Sequence, residues 1–103
     1  MRAAILLLVF FLGRAAADPD PVPRGSRADA GAYVSGVGFG EAIAWMTKEL
    51  DRRGWPMTKV GPYRARGVDV ARFVAADDRA PYAAIHVYRV QGKTWISFVK
   101  RSP

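Results

Sequence analysis

The sequence predicts an α+β fold in which one amphipathic helix packs on a three- to four-stranded antiparallel sheet ending in a β-hairpin, preceded by a cleavable signal peptide. Three observations carry this. Residues 39–53 repeat apolar positions at helical spacing, residues 82–100 hold two β-branched and aromatic runs around a Gly, and residues 1–17 have the layout of an export signal. At 103 residues, half of them hydrophobic, the chain is large enough for one small domain and too rich in apolar side chains for wholesale disorder.

Arg2 supplies a positive start, Ala3 to Leu12 is an unbroken apolar run of ten, and Ala15-Ala16-Ala17 gives the small residues a signal peptidase reads, which places cleavage before Asp18. A membrane anchor is the competing reading, but spanning hydrocarbon takes roughly 20 apolar residues. The product is therefore expected to be exported, in the periplasm or outside the cell. Residues 18–32 hold three prolines, two glycines and one large apolar residue, Val22, so they read as a disordered Pro-rich tether. The folded unit is then 33–103.

In 39–53, Phe39, Ala42, Ile43, Met46 and Leu50 share one helical face. Glu41 in the first turn and Arg52-Arg53 in the last suit the helix dipole, while Gly54 and Pro56 end the helix. Trp45 flanks the stripe, and Trp55 folds back over the helix end. Thr58 to Arg66 contains Gly61-Pro62 and is at most an edge strand or a loop. Val68 to Ala75 alternates as a strand, although Val70, Phe73 and Val74 would also suit a short helix. Tyr82 to Val90 and Thr94 to Lys100 form the hairpin, and a two-residue Gln91-Gly92 turn sets Tyr88 opposite Trp95, Val87 opposite Ile96, His86 opposite Ser97 and Ile85 opposite Phe98. Ala83, Ile85, Val87, Ile96 and Phe98 then face the helix. Tyr82, His86, Tyr88, Trp95, Ser97 and Val99 face away. With Phe39, Ile43, Met46, Leu50, Val68 and Val70, the inward hairpin residues make a thin core that a covering partner or a weak dimer would help.

Chemistry is sparse in this inventory. Without cysteine, and with one histidine, disulfides, thiol chemistry, Cys-rich zinc sites and multi-histidine metal sites are excluded. His86 is the one candidate general base, with Ser97 across the strand but no carboxylate in either hairpin strand to orient the ring. Gly36 to Gly40 opens the helix as phosphate loops do, yet lacks the preceding strand and the Lys-Ser/Thr that such loops need. No enzyme activity, cofactor or metal is expected.

Basic residues are more telling. Residues 33–103 carry twelve Lys+Arg against six acids, nine of the twelve after Gly54. Export argues against nucleic acid, which leaves an anionic envelope component, a peripheral membrane surface or a protein as the partner. The candidate contact centre is Tyr88, Trp95 and His86, rimmed by Arg89, Lys93 and Lys100. The expected function is a small exported non-enzymatic binding module, with an inhibitor or immunity-type protein that blocks a specific enzyme as the alternative.

Overall fold

In the computed structural model, which describes residues 19–101, one helix lies across one face of a six-stranded antiparallel sheet. The elements run β1 (Arg27–Asp29), β2 (Ala32–Val34), α1 (Phe39–Arg53), β3 (Met57–Ala65), β4 (Val68–Ala75), β5 (Tyr82–Val90) and β6 (Lys93–Lys100). Their order across the sheet is β1-β2-β6-β5-β4-β3. The helix therefore carries the chain from β2 to the far edge of the sheet, and the meander β3 to β6 brings it back against β2. The expected signal peptide and its cleavage site lie outside the described residues.

The helix has the bounds its sequence predicts. Ala42, Ile43, Met46 and Leu50 are its buried stripe, and Gly54 ends it with φ 72°, where a side chain would be strained. Glu49 accepts from both Arg52 and Arg53, the latter at 2.7 Å, tying the last turn together. Trp55 does fold back, its N–H donating to the Leu50 carbonyl and its ring meeting Tyr82 edge-on at 5.7 Å.

The hairpin turn is two residues long, with Gln91 at φ 50° and Gly92 at φ 80°, and all four expected cross-strand pairs form. Val68–Ala75 is a strand, and Met57–Ala65 an edge strand whose register shifts between Val60 and Tyr63 around Gly61-Pro62. An outer edge tolerates that proline because its missing N–H has no neighbour to serve.

Four expectations need correction. The sheet has six strands rather than three or four, because residues 27–34 add two. Residues 19–32 are no tether: Pro21 and Pro23 are buried, and Asp20 accepts from Tyr82 Oη at 2.5 Å, Tyr33 Oη at 2.7 Å and Lys100 Nζ at 3.3 Å. A single carboxylate with three donors from the sheet thus holds down a segment too polar to hold itself.

Tyr82 does not face outward, because the β5–β6 register slips between Tyr82 and Ala84. One extra residue reverses the facing of everything beyond it. Tyr82 turns into the core at 4% exposure, against Phe98 at 4.9 Å between rings. Finally, Val68 and Val70 lie away from the helix, and Ala71 and Phe73 fill the core instead. Ala71 pairs with Val87 and Phe73 with Ile85, so the inward side of β4 is the odd-numbered one.

Candidate functional site: the uncovered sheet face

One helix covers one face of the sheet. The other face is left to its own side chains, and cross-strand pairing sorts these into rows, three of which span its middle. The first runs Tyr63, Val70, Tyr88, Trp95 and Val34 across β3, β4, β5, β6 and β2, and ends at Arg27 on β1. The second is Val60, Arg72, His86 and Ser97, and the third is Thr58, Val74, Ala84 and Val99. An aromatic row and a small-residue row therefore flank a polar one. Tyr63, Val74 and Val99 are exposed large apolar residues, at 42%, 36% and 43%, while Tyr88, Trp95, His86 and Arg72 are half-buried by their neighbours.

The six candidate residues divide between the two faces. Tyr88, Trp95 and His86 do come together, and Lys93 lies on the same side, two residues from Trp95 along β6. Arg89 does not join them. It lies on Val87's side of β5, paired with Asp69, donates to that carboxylate at 2.6 Å and lies over the Phe39 ring at 5.2 Å, on the helix side. Lys100 is also on the helix side, where alternation along β6 puts it with Ile96 and Phe98, and is held by Asp20 near the Tyr82 ring. The expected rim of three cations is corrected to one, Lys93.

Arg72, Val70 and Val34 are among the residues of this face that sequence reasoning did not place there. Arg72 is the informative one, because its Nε is shut from solvent and has no hydrogen-bond acceptor among the described residues. It lies directly across from His86. Burial, and then the Arg72 charge, hold the His86 imidazole below its ordinary value of 6.5, so it is neutral at pH 7. Neutral imidazole offers one donor and one acceptor to whatever covers it.

Ser97 and His86 are paired as expected, but the nearest strand carboxylate, Asp69, is on the helix side with Arg64 and Arg89. Among the described residues no three His, Asp or Glu side chains converge as metal ligands, and no helix is long and apolar enough to cross a membrane. Hollows occur on the other side of the sheet, one of about 310 Å³ beside Asp20, Tyr33 and Lys100 and one of about 350 Å³ between Pro23, Trp45 and Lys48. No family model, curated protein or solved structure matches this chain.

Proposed function

We propose that the chain is an exported, non-enzymatic binding module that engages a protein partner through the uncovered sheet face. The observation that carries this reading is the face itself: Trp95, Tyr88, Val70, Val34 and Tyr63 in one continuous row, with no element of the described residues laid over them. Contiguous apolar patches of this kind on a soluble domain mark interaction sites. Trp, Tyr and Arg are the residue types that dominate binding energy at protein interfaces, and all three are here.

The same geometry weakens the reading as an anionic-surface binder. Arg89 is neutralised by Asp69 and Lys100 by Asp20, so two of the three cations expected to contact phosphates or sulfates are already paired on the opposite side. Cosedimentation with anionic and neutral vesicles should give low, equal binding once salt reaches physiological strength.

A photo-crosslinking side chain at Ser97, on the uncovered face, compared with one at Lys48, on the exposed side of the helix, tests the reading in the producing cell. A discrete adduct from position 97, lost with Trp95→Ala and not seen from position 48, is the expected result. Equal adducts from both positions, or none from 97, would overturn it. Intact mass of the recovered protein checks export, with Asp18 expected as the first residue and a mass retaining Met1 to Ala17 contrary to it.

A further inference from the structure

Every arginine with an acceptor among the described residues finds it on or beside its own element. Arg52 and Arg53 use Glu49, Arg64 and Arg89 use Asp69, Arg79 uses Asp77, and Arg101 uses the Ala80 and Asp77 carbonyls. Arg72 differs, lying in the middle of the middle row with its Nε buried and unbonded. Around it stand Val60, Val70, Val74, Tyr88 and His86, with no carboxylate among them. We infer that the uncovered face is built to receive a carboxylate: the partner protein inserts an Asp or Glu side chain, flanked by apolar residues, onto Arg72, with the imidazole of His86 beside it.

This rests on the reading of the face as a docking surface and names what that surface recognises. A guanidinium presents a planar fork that matches a carboxylate through two parallel hydrogen bonds, and an ammonium cannot do this. The aromatic row and the valine-rich row on either side would exclude water once covered, and an ion pair is strongest where water is excluded. The size is adequate. At the usual strand spacing and rise, the four long strands present roughly 500 Å² in plan, of the same order as the ~800 Å² each partner contributes to a standard interface.

Charge also selects the occupant. A second copy of this chain would bring another Arg72 row against the first, on a protein of net charge +7, and like charges facing each other are repelled. An acidic partner is attracted by both terms.

A library of random displayed dodecapeptides, selected on the full chain, tests this. Enriched peptides should carry Asp or Glu with apolar or aromatic neighbours. For synthetic copies titrated by calorimetry, replacing that acid by its amide should weaken binding about tenfold or more, the scale for breaking a desolvated charge pair. Arg72→Gln should cost a similar factor and the two losses should not add, while Arg64→Gln, on the helix side, should leave affinity unchanged. Arg72→Lys, which keeps the charge and loses the fork, should fall between wild type and Arg72→Gln, and thermal melts of each variant establish that it is folded. Enriched peptides without acids, no enrichment at all, or acid-bearing peptides indifferent to Arg72→Gln would overturn the carboxylate assignment. Self-association seen by sedimentation and abolished by Trp95→Ala would overturn it in favour of a second copy. If Trp95→Ala abolishes peptide binding and Arg72→Gln does not, the carboxylate assignment fails alone. If Trp95→Ala has no effect, the docking surface itself fails.

Discussion

Replacing Asp20 by Ala should destabilise the fold by about 2–3 kcal/mol, although the residue lies in a segment whose composition resembles a linker. The magnitude follows from its three donors. Tyr82 is 4% exposed, so its hydroxyl cannot turn to water, and a buried donor left without an acceptor costs about 1–3 kcal/mol. Tyr33 is half-buried and Lys100 exposed, so both are re-solvated and together add only about 0–1 kcal/mol. Release of Pro21 and Pro23 from their buried positions adds cost, which regained chain entropy offsets. Tyr82→Phe should cost less, about 1 kcal/mol, because it removes the donor and leaves Asp20 with two others. The double variant should then be more stable than the sum of the two losses implies, by about 1 kcal/mol, since the orphaned hydroxyl is gone. Urea melts of the four proteins measure this. Burial pushes the Asp20 carboxyl up, but the hydrogen bonds from Tyr82, Tyr33 and Lys100 outweigh it and hold the group below its ordinary 3.8. Its contribution is therefore complete above pH 3.8 and is lost as pH falls through the depressed folded value. An Asp20→Ala variant within about 0.5 kcal/mol of wild type, additive with Tyr82→Phe, would show that the segment is a tether after all.

Burial depresses the His86 pKa, so the unfolded state takes up the proton first and stability should fall as pH drops below 6.5; His86→Gln should remove that part of the pH profile in melts followed from pH 8 to pH 5. Phe73→Ala should cost about 3–5 kcal/mol and Val70→Ala clearly less, since Phe73 is fully buried under the helix and Val70 lies on the uncovered face; the reverse order in urea melts would mean the faces of β4 are exchanged. Gly36→Ala should destabilise by about 1–3 kcal/mol or more, because its Cβ would come within 2.2 Å of the Arg24 carbonyl, whereas Gly38→Ala meets nothing within 4 Å and should change the melting temperature little.

The glycine pair also explains what could and could not be read from the sequence. Gly36 and Gly38 look alike in the run Gly36 to Gly40, and only the return of residues 24–25 beside Gly36 makes one of them indispensable. Features set by neighbours in sequence were legible: the helix and its caps, the two-residue turn and the hairpin register all follow from local spacing and backbone preference. Features set across the sheet were not. Asp20 meets Tyr82 over 62 residues of chain, so nothing local distinguishes a clamped segment from a loose one. One extra residue in β5 turns Tyr82 inward, and nothing local announces it, whereas Lys100 shares its side of β6 with Ile96 and Phe98 by alternation alone.

Arg72 could have been found. Strand periodicity puts it on the same side as Val68, Val70 and Val74, and a guanidinium in the centre of that set is inconsistent with a core packed on a helix. The three valines make that side of β4 resemble a core, whereas Ala71 and Phe73, small and large in alternation, are what the helix packs against. A face that is apolar enough to resemble a core and yet holds an arginine at its middle satisfies neither role within this chain. Apolar neighbours half-bury the guanidinium, and the described residues supply no acceptor for its Nε. Native folds seldom leave such a donor unanswered, because the penalty is charged to the isolated protein. The terminal amino groups of the guanidinium are not shut off as Nε is, so a partner can reach them, and the unpaired charge and the missing second layer point to the same thing: a partner surface with a carboxylate set among apolar side chains.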